Sequence, residues 1–142
     1  MKILIFGLPG SGKSTLAEPF AKLINGIWIN ADQVRKHYDD WDFTLEGRMR
    51  QALRMKVLSD GVVRAGKTAI ADFVCPTEAA RVEFDPDYTV WMDTIKEGRF
   101  EDTNKMFETP AKYDYHVNKW FNDTPHQLME VVQNYMERKK NV

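Results

Sequence analysis

The sequence predicts an α/β domain, a parallel five-stranded sheet with helices on both faces in three layers. Three observations predict it. Short apolar runs alternate with longer segments of helical periodicity, the order that builds parallel sheets from strand–helix–strand units. The first run, Lys2 to Phe6, is apolar almost throughout, as in a strand buried on both faces. It opens directly into a glycine-rich loop and then a helix, through Gly7, Leu8, Pro9, Gly10, Ser11, Gly12, Lys13, Ser14 and Thr15. The chain has 142 residues, 43% hydrophobic and 29% charged, enough for one domain with a real core, so residues 1–142 read as a single unit.

The loop fits G-x-x-x-x-G-K-[ST], the P-loop, and makes the fold a P-loop NTPase type. Gly7, Gly10 and Gly12 permit positive φ and close backbone approach. Successive N–H groups then form a nest for phosphate oxygens, and the helix beginning near Lys13 adds its positive dipole end. Lys13 supplies a mobile cation for the β- and γ-phosphates, and the Ser14 hydroxyl can ligate Mg²⁺. The candidate ATP-binding set is therefore Gly7, Pro9, Gly10, Ser11, Gly12, Lys13, Ser14 and Thr15.

The remaining elements follow in order. A helix from about Gly12 to Leu23 places Leu16, Phe20, Leu23 and Ile24 at helical spacing, with Pro19 predicting a kink or irregular turn. Asn25-Gly26 closes it, and Ile27 to Ile29 is the second strand. Asn30-Ala31-Asp32 then falls at the carboxyl end of that strand, the end that carries ligands in open parallel sheets. Asp32 either caps the helix Gln33 to Tyr38 or faces the site, and the two roles are compatible. Asp39 to Phe43, acidic and aromatic, reads as a surface loop and a candidate pocket wall.

Thr44 caps a long helix, about Leu45 to Ala65. Leu45, Met49, Ala52, Leu53, Val57 and Val63 form one apolar stripe, the pattern of a helix face packed on a core, with the arginines mainly outside it. Thr68 to Val74 is the third strand, with Asp72 near its carboxyl end where a carboxylate can hold Mg²⁺ through water. A short helix, Glu78 to Val82, and a turn at Asp85-Pro86-Asp87 lead to the fourth strand, Tyr88 to Met92. Residues 93–112 are polar and aperiodic, and so long an irregular stretch is often a lid or binding loop. Tyr115 to Trp120 is the fifth strand. Thr124-Pro125-His126-Gln127 opens the last helix with Thr124 as cap and Pro125 at the first position.

Totals and missing motifs exclude several classes. A net charge of -1 gives no global attraction to nucleic acid or membrane, and the acidic loop at 39–42 disfavours a long polynucleotide. Cys75 is the lone cysteine, so a reducing compartment fits. No apolar run approaches the ~18 residues of a membrane span, and the first strand is too short for a signal peptide, so a cytoplasmic location is expected. Asn118-Lys119 is followed by Trp120-Phe121 rather than an aspartate, which excludes a guanine-specific switch. Asp72-Phe73 lacks the second carboxylate of a motor-type ATPase. A small-molecule kinase needs only a P-loop, a carboxylate near the acceptor hydroxyl, a metal and a mobile cover.

From Gly7 to Ala17, through Asn30 to Arg35, through Asp42-Phe43-Thr44 with Arg48, and on through Phe73-Val74-Cys75-Pro76 and Arg81, the chain resembles an adenylylsulfate kinase. Members of that family phosphorylate the 3′-hydroxyl of adenosine 5′-phosphosulfate with ATP. The resemblance implies that Asp32 lies near the acceptor hydroxyl and metal, alongside Ser14 and Asp72. It implies that Arg35 and Arg48 hold the sulfate-phosphate end of the substrate, and that Phe43 and Phe107 sandwich its adenine. Gln51 stands where the family has a substrate-contacting asparagine, and Phe73 belongs to the same acceptor set. The chain departs from the family at Asn30, where the motif has an aspartate, and at Cys75, where it has a serine. The family's cationic lid run is missing, leaving Lys96, Arg99 and Lys105 as stand-ins. The expected activity is ATP- and Mg²⁺-dependent phosphorylation of a small nucleotide-like acceptor, with Lys13 and Asp32 catalytic. The alternatives are a nucleoside or polynucleotide 5′-hydroxyl kinase, or a nucleotide-binding module without transfer activity. A homodimer is compatible with the sequence.

Overall fold

The computed structural model describes residues 1–141. Strands β1 (Lys2–Gly7), β2 (Ile27–Asn30), β3 (Ala69–Asp72), β4 (Tyr88–Met92) and β5 (Tyr115–Val117) form one sheet in the order β2-β3-β1-β4-β5, parallel throughout. The helices are α1 (Lys13–Ile24), α2 (Ala31–Tyr38), α3 (Leu45–Arg64), α4 (Glu78–Phe84), α5 (Glu101–Met106) and α6 (Thr124–Lys140).

The period-two geometry of β1 divides the core. Ile3 and Ile5 face Leu16 and Phe20 of α1 and Leu128 and Val132 of α6. Leu4 and Phe6 face Met55 of α3 and Phe84 of α4. Because all strands run the same way, their carboxyl ends share one edge. The register sets Asn30 beside Asp72, Asp72 beside Ile5, and Gly7 beside Met92. That edge is where a ligand binds in this topology.

Four expectations are corrected. Residues 93–112 are not wholly irregular but contain α5, a six-residue helix too short to show periodicity. No irregular turn interrupts α1, which runs on as one helix past Pro19, whose missing N–H leaves one carbonyl of the preceding turn without its helical partner. Helix α6 begins at Thr124 with Asp123 at the cap position. Thr124 does not cap it, because its Oγ1 accepts from the Phe121 N–H at 2.9 Å, so Pro125 falls at the second helical position.

The fourth correction concerns α3. Four of its six stripe residues face outward: Leu45 is 63% exposed, Met49 64%, Leu53 57% and Val57 58%, while Ala52 and Val63 are half-buried against the core. The buried positions are Gly47, Gln51, Met55 and Ser59, offset by two residues and so about 200° around the helix. Two of them explain the choice. The Gln51 amide donates to the Ala31 carbonyl at 2.9 Å, joining α3 to the first turn of α2. Gly47 lies so close to Asp42 that a Cβ there would overlap the Asp42 backbone and side chain. This contact folds the 39–43 loop onto α3.

Glycine-to-alanine normally favours a helix interior by roughly 1 kcal/mol. At Gly47 the overlap reverses the sign, and Gly47→Ala should destabilise by about 1–3 kcal/mol. Thermal unfolding checks this, and an unchanged or raised Tm would contradict the packing described.

Candidate active site

The phosphate loop takes its shape from Gly10 (φ 88°) and Gly12 (φ 95°), both in the left-handed region that disfavours a Cβ. Gly7 is required for another reason: a Cβ there would overlap the Met92 carbonyl of the neighbouring strand. The Ser11 N–H donates to the Leu8 carbonyl at 3.1 Å, which tightens the loop. Helix α1 starts with no capping side chain and no acid in its first turn, so its amino-terminal N–H groups remain available to an anion. The buried Ser11 Oγ has no hydrogen-bond partner among the described residues. Lys13 Nζ donates to the Leu8 carbonyl at 3.1 Å. Burial lowers the Lys13 pKa from its ordinary value, and the charges of Asp72 and Asp32 oppose that shift.

Asp72 is the meeting point. Its Oδ2 accepts from Asn30 Nδ2 at 2.9 Å, Trp28 Nε1 at 3.0 Å and Ser14 Oγ at 3.1 Å. Asn30 Nδ2 also reaches Ser14 Oγ at 3.1 Å, while Asn30 Oδ1 accepts from the Gln33 N–H at 3.0 Å and caps α2. The cap is therefore Asn30 and not Asp32, which leaves Asp32 exposed in the first turn and facing the site. An aspartate at position 30 could accept the helix N–H but could not donate to Asp72. Asn30 to Gln33 has the spacing of a capping box, a signal that was readable in the sequence.

Beside Asp32 lies a cavity of about 910 Å³, lined in part by Asp32, Arg35, Phe43, Arg48, Gln51 and Phe73. Arg35, only 5% exposed, donates through Nη1 to the carbonyls of Asp40 (2.9 Å) and Asp42 (3.1 Å). Its guanidinium lies 4.3 Å from the Phe43 ring centre. Arg48 donates to the Phe43 carbonyl at 2.9 Å and to Thr103 Oγ1 of α5 at 2.8 Å. Neither arginine is ion-paired to a carboxylate among the described residues, and burial lowers the pKa of both. Two cations kept beside one cavity without a paired carboxylate suit an anionic ligand.

The loop that frames them is held by arginines. Asp40 pairs with Arg54 at 2.6 Å and Arg50 at 3.2 Å, and Asp42 with Arg50 at 2.9 Å. The acidity of residues 39–42 is thus largely compensated, and its repulsion of a polyanion is weaker than the sequence suggests. Hydrogen bonds from Thr44, then Arg50, hold the Asp42 carboxyl down at about 2, and bonds from Arg50 and Arg54 hold Asp40 below the ordinary carboxylate range.

Phe107 is placed differently from Phe43. It stacks on Phe6 (6.4 Å between ring centres) and lies 5.1 Å from the Arg81 guanidinium, packed against the core and outside the cavity lining. Arg81 donates to the carbonyls of Cys75, Pro76 and Glu108, tying the strand-β3 loop to the end of α5. Cys75 itself has φ 44°, a strained setting for a side chain, and burial pushes its thiol up to about 12. Residues 94–98 lie against the phosphate loop: Thr94 Oγ1 donates to the Ser11 carbonyl at 2.7 Å, and Gly98 packs beside Pro9. Lys96 and Lys105 pair locally with Asp93 and Glu101, each at 3.6 Å, and Arg99 lies over Phe100. Trp28 and Thr103 are contributors that no sequence motif marks.

The donor set fits nucleotide with Mg²⁺. Ser14 and Asp72 are hard oxygen ligands beside the phosphate cradle, and no protein donor reaches Asp72 Oδ1 among the described residues. Among the described residues no cluster of three or more His, Cys, Asp and Glu groups could hold a metal.

Fold and site together define a P-loop kinase of small molecules. The family model described as adenylylsulphate kinase matches residues 1–91, and the chain belongs to that family. No curated protein matches it significantly. Among solved structures, it resembles an APS kinase from Mycobacterium tuberculosis in complex with AMPPNP and APS, at 13% identity over 93% of this chain and 96% of that chain, with a TM-score of 0.74. It also resembles a sugar kinase from Janibacter sp. HTCC2649 (17% identity, 96% and 94% coverage, TM-score 0.69). A shikimate kinase from Aquifex aeolicus is similar as well (18% identity, 99% and 98% coverage, TM-score 0.67). At such identities the likeness is one of fold. No helix of the described residues is long and apolar enough to cross a membrane.

The depressed carboxyls give a pH prediction. Their folded pKa lies below the unfolded value of about 3.9, so their contribution is complete above that value and is lost as pH falls, for Asp42 toward about 2 and for Asp40 lower still. Asp40→Asn should therefore lower Tm at neutral pH and flatten its fall between about pH 4 and pH 2. Parallel Tm–pH curves for variant and wild type would show that these ion pairs do not anchor the loop.

Proposed function

We propose that the chain transfers the γ-phosphoryl group of ATP to a hydroxyl of a small anionic, nucleotide-like acceptor. The 3′-hydroxyl of adenosine 5′-phosphosulfate is the acceptor that family membership favours. The observation that carries this reading is the joining of the two halves of the site through Asn30. Its side chain touches Ser14 and Asp72 on the phosphate side and caps the helix that carries Asp32 and Arg35.

In this reading the loop from Gly7 to Thr15 binds the phosphates, and Lys13 follows the charge that shifts onto the transferring group. Its local contact to Leu8 is weak enough to be exchanged for a phosphate oxygen. Mg²⁺, held by Ser14 and Asp72 with Asp32 nearby, would neutralise phosphate charge. Asp32 accepts the proton of the acceptor hydroxyl or orients that hydroxyl for in-line attack. Arg35 and Arg48 hold the acceptor's anionic group, Phe43 and Phe73 flank it, and Gln51 contacts it. Fixing both reactants on one rigid edge supplies most of the rate. The local pairing of Lys96 and Lys105 supports a second reading, a nucleotide-binding module without transfer.

ADP release with and without adenosine 5′-phosphosulfate, beside nucleosides and a 5′-hydroxyl oligonucleotide, separates these readings. Lys13→Ala should cut turnover at least about a hundredfold with the fold intact. Asp32→Asn should lower kcat by about 10²–10⁴-fold while ATP affinity changes little. Equal losses in kcat and ATP affinity would make Asp32 structural, and no acceptor-dependent ADP release from wild type would favour the binding module.

A further inference from the structure

The outward stripe of α3 does not lie on open surface alone. Leu45, Met49 and Leu53 line the same cavity as Asp32, Arg35 and Arg48, and Ala79 and Ala80 of α4 line it too. Cavity and stripe are continuous, so one groove joins the cationic pair to an apolar wall, with Glu46, Arg50, Glu83 and Glu108 also on its lining. Leu45 to Leu53 spans eight residues of helix, roughly 12 Å at the helical rise. A soluble monomer seldom leaves such an apolar row unused.

We propose that this groove is an apolar subsite for the acceptor, which is therefore amphipathic. An anionic group sits at Arg35 and Arg48, and a flat or chain-like apolar moiety of about 10 Å lies along Leu45, Met49 and Leu53. This deepens the kinase reading and rests on it for the hydroxyl at Asp32. Three features favour a substrate over a protein partner as occupant. The groove leads into the reacting edge of the sheet. Its cationic end has no paired carboxylate among the described residues, with Arg35 buried and Arg48 half-buried, which suits one compact anion better than a broad interface. Phe107 packs on Phe6 outside the cavity, so α3 adds apolar contact for an acceptor's ring or chain beside that of Phe43 and Phe73.

The test uses two probes with the same rings, anionic 1-anilinonaphthalene-8-sulfonate and neutral N-phenyl-1-naphthylamine, titrated by fluorescence into the folded protein. Wild type should bind both saturably at one site, the anion about tenfold more tightly. Arg48→Ala should erase that preference. Leu53→Glu, at an exposed position that should tolerate charge, should weaken both probes by at least about tenfold. Its affinity for a fluorescent ATP analogue should be unchanged. Equal affinity of the two probes in wild type, or full binding by Leu53→Glu, overturns the proposal. So does a concentration-dependent dimer in sedimentation that Leu53→Glu dissociates, because a second copy would then cover the groove. Probe binding needs no phosphoryl transfer, so a chain that binds both probes as described but phosphorylates nothing refutes the kinase reading and leaves the amphipathic groove standing.

Discussion

One carboxylate oxygen organises the active edge. Asp72 Oδ2 collects a hydroxyl, an amide and an indole donor from α1 and β2 and is itself held at the end of a buried strand. A buried carboxylate with three donors is stable where an unpaired one would be costly. It also sets three backbones against each other, since Ser14 lies in the first turn of the helix after the phosphate loop, Trp28 lies within β2 and Asn30 ends it, and Asp72 ends β3. Asn30 extends the arrangement to α2 by spending its other atom on the helix cap. The side chains of Asp32 and Arg35 thereby stand in a fixed relation to the phosphate cradle.

Much of this was legible in the chain. The strand–loop–helix of residues 2–17 is written in residue types that only that conformation satisfies: a continuous apolar run, glycines at the positive-φ positions, and lysine and serine at the helix start. The five strands and their order of appearance followed from apolar runs bounded by turn residues. What was not legible depended on partners distant in sequence. The stripe of α3 looked like a core face because periodicity reports amphipathicity and not which side meets the sheet. Gly47 and Gln51 decided that, through Asp42 and Ala31. Likewise Phe107 falls in the stretch expected to form a lid, yet it packs half-buried against the core beside Phe6 and Arg81. The acidic loop revealed its charge compensation only once Arg50 and Arg54 were seen beside it.

The division of the site matches its chemistry. The phosphate side is rigid, with every glycine accounted for by a dihedral angle or a close contact. The proposed acceptor side is built from side chains on α2, α3 and the 39–43 loop, with Arg48 reaching across to Thr103 of α5. An anion drawn to Arg48 would compete with that contact and so couple acceptor binding to the position of α5. Solved kinases of a sugar and of shikimate share this fold, so the fold leaves the acceptor open.

The central claim is that Asp72 and Ser14 form the metal side of a nucleotide site. Calorimetry of ATP binding with and without Mg²⁺, on wild type and Asp72→Ala, tests it most directly. The account predicts that Mg²⁺ tightens ATP binding to wild type and that Asp72→Ala loses this enhancement while still binding ATP through the loop. An enhancement of the same size in the variant would contradict it.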